Sequence, residues 1–362
     1  MKLVIATPLY PPEIGGPATY AKLLSNGLPG KGIEVEVVKF SEVRHLPKLL
    51  RHYAYYRHVY SAARGADAVL ALDPVSVGLP ALCAAKKAGK HFFVKVVGDY
   101  AWEQGQQRFG ITQTLDEFIK TTRVSFGVRL FRRVQARVAR SALRVIVPSD
   151  YLKGVVTTWG IPPEKIEVIY NAVSLEKFGT VLPKAISALS RPLVVTVGRL
   201  VPWKHIDGVI DATAGVFGAS LAIVGEGPER VVLARHAKEK LLGRFVFTGP
   251  LSHSDTLVVM RSADALVLNS SYEGLSHLLI EALTLGMPII ATRVGGNTEV
   301  INDEKDGLLV ESGDALALAH ALARVLSDED LRTRLTTHAL ESAKRFSTDT
   351  MLSATAAILQ HL

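Results

Sequence analysis

The chain has 362 residues, 48% of them hydrophobic, and a formal net charge of +8 at pH 7. This length fits two domains better than one, and the apolar content is enough for a full core in each. The single cysteine, Cys83, excludes an intrachain disulfide and suits a reducing compartment. We expect it to be a small buried residue, and no Cys/His cluster has zinc spacing.

Neither a membrane span nor a signal peptide is predicted. The uncharged stretch of residues 74–85 is too short to cross a bilayer. The apolar start of the chain stops at Pro8 without a cleavage site, so a first β-strand explains it better. Residues 1–178 carry 25 Lys and Arg against 14 Asp and Glu (+11), whereas residues 179–362 carry 17 against 20 (−3). The two halves therefore imply different partners.

Short apolar runs alternate with helical patterns throughout the chain. Continuous β-branched runs of this kind indicate parallel sheets covered on both faces, and two series indicate two doubly wound α/β domains. We predict domains over residues 1–178 and 179–346, an irregular linker over 171–192 and a final helix over 347–362. The predicted strands are 3–6, 34–38, 68–72, 92–97, 145–147, 166–169, 193–197, 221–224, 245–247, 265–268, 288–291 and 308–310. Because ligands bind beyond the carboxyl ends of such strands, the expected site is a cleft between the two domains.

A glycine loop follows the first predicted strand. Residues 11–20, PPEIGGPATY, place Gly15 and Gly16 at the start of a helix, where glycine lets the backbone approach a ligand closely. A plain strand-to-helix turn is the alternative, and the loop lacks dinucleotide-binding GxGxxG spacing. After the fourth predicted strand, residues 97–103, VGDYAWE, contain Asp99, which would also fit a helix cap.

Two segments of the first half are strongly basic. Residues 120–144 are predicted as one amphipathic helix, and residues 44–64 are basic and rich in His and Tyr. The hypothesis is contact with an anionic membrane surface or a lipid-phosphate acceptor, and a solvated helix on its own sheet is an equally weighted alternative. No nucleic-acid module is visible. The basic stripe of the helix comprises Arg129, Arg133, Arg137, Arg140 and Arg144, and its apolar stripe comprises Val124, Val128, Phe131, Val134 and Val138.

The second half opens with two cations just past a strand. Residues 193–204, LVVTVGRLVPWK, run from an apolar strand into Arg199 and Lys204. Arginine can grip two phosphate oxygens and lysine adds a point charge, so the pair suits a diphosphate. Two solvated surface cations are the alternative. The GxG at Gly225–Gly227 is followed by Pro228, which spoils a dinucleotide fingerprint.

Residues 271–300, SYEGLSHLLIEALTLGMPIIATRVGGNTEV, are the most informative block. They predict a loop, a helix, a strand and a glycine turn, with Glu273 in the loop and Glu281 in the helix. A helix start after a glycine offers backbone N–H groups and the positive end of a dipole to phosphate. The two carboxylates can accept hydrogen bonds from sugar hydroxyls, so the block suits a nucleotide sugar. The alternative is an ordinary amphipathic helix.

The block resembles the signature of the retaining glycosyltransferases of family 4, which have the GT-B architecture of two Rossmann-like domains. The family motif of Glu, seven residues and Glu is matched without a gap. The resemblance covers most of the chain and is strongest over residues 193–310. It implies metal-independent transfer of a sugar from a nucleoside-diphosphate sugar to an acceptor hydroxyl. It also implies that no cofactor is needed besides this donor.

The resemblance assigns roles in the donor domain. Glu273 would contact the donor sugar, Glu281 would hold the ribose, and Arg199 and Lys204 would neutralise the leaving diphosphate. A same-face displacement is implied, and Glu273 as a covalent nucleophile is a lesser alternative. The backbone that would face sugar or phosphate oxygens is that of Gly274, Leu275 and Ser276.

The resemblance also assigns roles elsewhere. Gly15 and Gly16 would touch the donor from the N-terminal, acceptor-side domain, on which the last helix would pack. Gly225 and Glu226 would line the donor pocket. Many relatives place a histidine near residue 98, where this chain has glycine followed by Asp99. Asp99 would then take over a contact with the transferred sugar, or cap a helix.

Two rival functions stay open from the sequence. One is a nucleotide-sugar epimerase of similar shape, and the other is a basic sugar- or nucleotide-binding protein without turnover. We expect a cytoplasmic protein, at the inner face of the cell membrane if the basic segments bind lipid, with no nucleic-acid partner. The donor sugar, its base, the acceptor and the oligomeric state are not readable from the sequence.

Overall fold

The computed structural model describes residues 1–13, 15–173, 179 and 181–360. Contacts divide the chain into two units, one formed by Met1–Ala172 with Thr348–Leu362 and the other by Val173–Ser347. Each unit contains a six-stranded parallel sheet with connecting helices. The predicted α/β fold with two parallel sheets is therefore confirmed.

The first unit has the strand order β2-β1-β3-β4-β5-β6. Its strands are β1 (Lys2–Thr7), β2 (Glu34–Lys39), β3 (Ala68–Ala71), β4 (His91–Lys95), β5 (Arg144–Val147) and β6 (Ile166–Val168). Its helices are α1 (Gly16–Gly27), α2 (Lys48–Ala63), α3 (Gly78–Ala88), α4 (Tyr100–Phe109), α5 (Leu115–Lys120), α6 (Phe126–Ser141), α7 (Asp150–Thr157) and, from the last part of the chain, α16 (Thr348–Gln360).

Helix α16 belongs to the core of the first unit. Leu352 and Leu359 are buried in the same apolar cluster as Leu24, Leu28 and Ile33. At the surface, Lys31 Nζ donates to Asp349 Oδ1 over 2.7 Å. The first unit therefore needs two segments that are distant along the chain.

The second unit has the strand order β12-β11-β10-β7-β8-β9, so the order reverses between β7 and β10. Its strands are β7 (Leu193–Val197), β8 (Ser220–Val224), β9 (Phe245–Gly249), β10 (Ala265–Leu268), β11 (Ile289–Thr292) and β12 (Leu308–Val310). Its helices are α8 (Lys184–Ser187), α9 (Ile206–Ala214), α10 (Arg230–Leu241), α11 (His253–Ser262), α12 (His277–Thr284), α13 (Asn297–Val300), α14 (Ala315–Ser327) and α15 (Glu329–Ala343). Such a reversal opens a crevice beyond the carboxyl ends of the two strands.

All twelve predicted strands are present. The helix predicted over residues 120–144 is shorter at both ends in the structure, where α6 covers Phe126–Ser141. Helix α6 begins only at Phe126, because the Ser125 hydroxyl caps it by accepting from the Val128 N–H. Arg144 is the first residue of β5, so it leaves the basic stripe of the helix.

The expectations for Cys83 and for the linker over residues 171–192 also differ from the structure. Cys83 is exposed on α3 instead of buried. The predicted irregular linker contains the short helix α8, while its residues 174–178 and 180 lie outside the described residues. Within the described ranges, no helix is long and apolar enough to span a membrane.

Candidate functional site

The loop after β7 carries the two predicted cations. A Cβ on Gly198, whose φ is 154°, would lie 3.8 Å from Lys204 Cε, so the lysine side chain passes over this glycine. Lys204 ends a short 3₁₀ turn, Pro202–Lys204. Arg199 is exposed, and its guanidinium has no partner among the described residues. Arg199 is therefore accessible to a ligand, whereas Lys204 is largely enclosed by the protein.

Lys204 is paired with the first glutamate of the sequence block. Lys204 Nζ donates to Glu273 Oε1 over 2.5 Å, and Ser270 Oγ donates to the same oxygen over 2.8 Å. The side chains of Lys204 and Glu273 are only 18% and 13% exposed. Because Glu273 Oε1 is engaged twice, its orientation is fixed, while Oε2 accepts no hydrogen bond from a described residue. That second oxygen is free for a hydroxyl donor.

Backbone contacts join the loops that follow β7 and β10. The Ser271 N–H donates to the Trp203 carbonyl over 2.8 Å, and Asn269 Nδ2 donates to the His205 carbonyl over 3.0 Å. Both loops lie at the reversal of strand order. The Lys204–Glu273 pair is therefore held at the position where doubly wound sheets bind ligands.

The start of α12 is built on a glycine turn. Ser276 is its N-cap, with Oγ accepting from the Leu279 N–H over 3.3 Å. Behind it, the Gly296 N–H donates to the Glu273 carbonyl over 3.0 Å, and a Cβ on Gly296 would lie 2.3 Å from the Gly274 oxygen. Only glycine fits there, so the turn after β11 fixes the backbone of Gly274 and Leu275.

Glu281 lies on α12 beside a histidine that the sequence did not single out. Its Oε1 lies 2.9 Å from Nε2 of His253, the first residue of α11, and the Glu281 side chain is 13% exposed. Since 28 residues separate the two along the chain, no local pattern could have linked them. The pair fixes one carboxylate oxygen of Glu281.

Gly225 and Glu226 lie in the loop after β8. A Cβ on Gly225 would lie 1.9 Å from the Gly198 oxygen, and one on Gly227 would lie 2.2 Å from the Leu200 oxygen. These glycines thus allow the loops after β7 and β8 to pack backbone against backbone. The Glu226 carboxylate is exposed, 3.8 Å from Arg230 Nε.

The remaining predicted residues lie in the first unit. Gly15 has a φ of 147° and is the N-cap of α1, which begins at Gly16. Its carbonyl accepts from the Ala18 N–H over 2.9 Å. The positive φ of Gly15 therefore explains the glycine by the strand-to-helix turn alone.

Asp99 is the N-cap of α4, the alternative that the sequence left open. Its Oδ1 accepts from the Trp102 N–H over 2.9 Å, and its Oδ2 accepts from Gln135 Nε2 over 3.0 Å and Trp159 Nε1 over 3.2 Å. Burial raises the pKa of this carboxyl, whereas the hydrogen bonds and nearby Arg132 work to lower it. Both oxygens are engaged inside the unit, and contact with a sugar stays a prediction.

Across the described ranges, no three His, Cys, Asp or Glu side chains are grouped so as to hold a metal ion.

Two family models match the chain, one in each half. Residues 14–177 match the model described as Glycosyltransferase Family 4, and residues 181–342 match the model described as Glycosyl transferases group 1. Together with the two parallel sheets, these matches define the class as GT-B glycosyltransferases. The chain belongs to glycosyltransferase family 4.

Known relatives differ in how much of the chain they match. The lipopolysaccharide core biosynthesis glycosyltransferase LpsE of Rhizobium meliloti is 34% identical over 40% of this chain and 42% of its own length. The D-inositol 3-phosphate glycosyltransferase of Salinispora tropica is 25% identical over 96% of this chain and 81% of its own. The region that matches LpsE therefore spans less than half of the length of LpsE.

Among solved structures, HepE of Anabaena in complex with UDP-glucose has a TM-score of 0.79 at 20% identity. The match covers 100% of both chains. At this identity, the likeness shows the fold.

Proposed function

We propose that this protein is a retaining glycosyltransferase that moves a sugar from a nucleoside-diphosphate sugar to an acceptor hydroxyl. The observation that carries the proposal is the enclosed Lys204–Glu273 pair at the reversal of strand order. HepE, which shares the fold, was crystallised with UDP-glucose, which supports a donor of this chemical class.

In this proposal, charge on the leaving diphosphate is stabilised by Lys204, Arg199 and the start of α12. Lys204 is held by Glu273 before the donor arrives, so little reorganisation is needed when charge develops. Arg199 is exposed and open, and its planar fork can bind two phosphate oxygens. The first turn of α12 adds the positive end of the helix dipole.

Glu273 and Glu281 would bind the hydroxyls on either side of the diphosphate. Glu273 Oε2 would accept from the donor sugar, because Oε1 is already engaged. Glu281 would accept from the ribose, with His253 fixing its other oxygen. The backbone from Gly274 to Ser276 would face sugar or phosphate oxygens, and Gly15, Gly16, Gly225 and Glu226 would complete the donor contacts.

Retention would follow from a same-face displacement. The bond from the anomeric carbon to the diphosphate oxygen breaks as the acceptor oxygen bonds to the same face of that carbon. The departing phosphate oxygen takes the acceptor's proton, so no protein base is required and no covalent intermediate on Glu273 is formed. The cations of the donor loop stay in place throughout.

We also propose that the protein works on the cytoplasmic side of an anionic membrane and takes a lipid-linked acceptor. Helix α6 exposes Arg129, Arg133 and Arg137, and on the same side Phe126 and Leu130 are 76% and 47% exposed. Basic residues beside exposed apolar ones favour an anionic lipid surface. Co-sedimentation with anionic but not neutral vesicles, fading as salt rises, is expected. Equal partitioning to both vesicle types would refute this part.

The transferase proposal is tested by nucleotide release and by substitution of the loop cations. After a thermal-shift screen has identified the donor, Lys204→Ala and Arg199→Ala should each lower kcat more than they raise the donor KM, since the charge grows in the transition state. Lys238→Ala and Arg235→Ala remove exposed cations of α10 and should change neither constant.

Three results would contradict the proposal. A change in KM alone would mean that the cations bind the donor equally well in the ground state and in the transition state. Donor binding without nucleotide release would favour a binding protein. A free epimeric sugar nucleotide as product would favour an epimerase.

A further inference from the structure

A cavity of about 290 Å³ lies within the first unit, among α5, α6 and the residues that follow α7. Its lining includes the apolar side chain of Ile119, the ring of Trp159 and the side chain of Gln135. Four arginines also line it, namely Arg129, Arg132, Arg133 and Arg140. None of these residues belongs to the donor loops of the second unit.

Two of the four arginines form a fixed wall. Arg132 donates to the carbonyls of Thr121 and Phe118 over 2.6 and 2.5 Å, and its guanidinium lies 3.9 Å from the centroid of the Phe118 ring. Arg140 donates from Nε and Nη2 to the Trp159 carbonyl over 3.3 and 3.2 Å. Both guanidinium groups are therefore oriented by the protein and keep further N–H donors.

The other two arginines have no partner among the described residues. Arg129 and Arg133 are exposed on α6, four positions apart, so they lie on the same face of the helix. Like charges at this spacing disfavour the helix slightly unless an anion lies between them. They are thus free to close on a ligand.

The carboxylates near the cavity are already engaged. Asp99, which lines it, receives hydrogen bonds from Trp102, Gln135 and Trp159. On α5, Asp116 accepts from the Tyr151 hydroxyl, and Glu117 closes a capping box. Four cationic side chains therefore face a single buried carboxylate, and the cavity has an excess of positive charge.

We propose that this cavity binds a phosphate group carried by an organic molecule. Arg129 and Arg133 would close on the phosphate against the fixed guanidinium groups of Arg132 and Arg140, because arginine binds phosphate through paired N–H donors. The volume exceeds what a phosphate group alone needs, and Ile119 and Trp159 offer apolar wall to a substituent. The ligand is a soluble phosphomonoester or the headgroup of a phospholipid, and this proposal stands apart from the donor chemistry.

The first test uses soluble probes with the full chain. Inorganic phosphate and glycerol 3-phosphate are titrated by calorimetry and by ³¹P NMR. The double variant Arg129→Gln/Arg133→Gln should bind at least tenfold more weakly than the wild type. Arg108→Gln removes an equal charge per position from the exposed surface of α4, outside the cavity, and should bind within twofold of the wild type.

The second test separates a lipid source from a soluble one. Vesicles of phosphatidic acid, a phosphomonoester, are compared with phosphatidylglycerol vesicles of matched surface charge. Preference for phosphatidic acid that is lost in Arg129→Gln/Arg133→Gln, but kept in Arg108→Gln, supports a lipid headgroup. Binding of glycerol 3-phosphate without this preference supports a soluble ligand.

Two outcomes would overturn the proposal. One is an equal loss per charge removed in all variants, which would mean that the net positive charge of the first unit and not the cavity attracts anions. The other is that no probe binds to wild-type protein whose thermal unfolding shows it to be folded.

Discussion

At the scale of single residues, Lys95 is a buried cation in the core of the first unit. It ends β4 at 1% exposure, and its Nζ lies 3.8 Å from the centroid of the Tyr20 ring without an acceptor among the described residues. Burial lowers the pKa of Lys95 from 10.5 to about 7. Between these values the unfolded chain binds the proton and the folded chain does not. The free energy of unfolding should therefore rise with pH there, by about 1.4 kcal/mol per pH unit.

The substitution Lys95→Met tests this linkage. It should stabilise the protein most at pH 7 and below, where the folded state bears the full cost of the buried charge, and the gain should shrink towards pH 10.5. Urea unfolding between pH 6 and pH 10 measures the change. Lys120→Met, at an exposed position of α5, is the control and should show no such trend. A gain that is the same at every pH would contradict the assignment.

Glu281 offers a residue-scale test of donor binding. Glu281→Ala should weaken binding of the nucleoside diphosphate by about 1–3 kcal/mol, the cost of losing a charge-assisted hydrogen bond. Calorimetry with the folded variant measures it, beside Glu239→Ala on the exposed face of α10. Unchanged affinity in Glu281→Ala would show that this carboxylate does not bind the ribose.

Several residues of the candidate site could be predicted because they follow a local pattern, and others could not. Glu273 and Glu281 belong to one continuous block. The partner of Glu273 is Lys204, 69 residues away, and that contact depends on how two loops meet at the sheet edge. Asp99 shows the same limit, since its sequence context fits a cap but does not reveal that Gln135 and Trp159 take its second oxygen.

At the scale of elements, strands were easier to predict than helix ends. Buried parallel strands are continuous apolar runs, so each is visible in the sequence by itself. The interval around Ser125 is different, because the apolar and basic spacing continues through it although one helix ends and another begins. Arg144 fits the helical spacing too, yet it begins β5. Its Nε lies 3.5 Å from Oε1 of Glu167 on the neighbouring strand β6. The secondary structure at Ser125 and Arg144 therefore depends on contacts that the local spacing does not show.

The cap of α4 provides the element-scale prediction. Asp99→Ala should lower the free energy of unfolding by about 2–4 kcal/mol, because it removes a helix cap and leaves the buried Gln135 amide and the half-buried Trp159 ring N–H without their acceptor. Thr114→Ala removes the exposed cap of α5 in the same unit and should cost only about 1 kcal/mol. Urea unfolding followed by tryptophan fluorescence compares them. Equal costs would show that the contacts with Gln135 and Trp159 contribute nothing.

At the scale of the whole molecule, the two units differ in charge and in continuity. Val173–Ser347 is one uninterrupted segment, whereas the first unit takes α16 from beyond it. Removing residues 348–362 should therefore expose the cluster around Leu24 and Leu28 and leave the second unit folded. Limited proteolysis should cut residues 1–172 first and spare a fragment of residues 173–347.

A point variant supports this prediction without shortening the chain. Leu352→Ala should destabilise the first unit by about 2–4 kcal/mol, the usual cost of a cavity at a buried leucine. The same proteolysis should again cut the first unit faster than the second. If both units become equally sensitive, α16 supports more than the unit in which it is buried.

The origin of α16 also bears on biosynthesis. Domains usually fold in the order in which they leave the ribosome. Here the nascent first unit has made all six of its strands but still lacks its closing helix while the entire second unit is being translated. The second unit can thus be finished before the first, and the apolar surface that awaits α16 is open to chaperones throughout that interval.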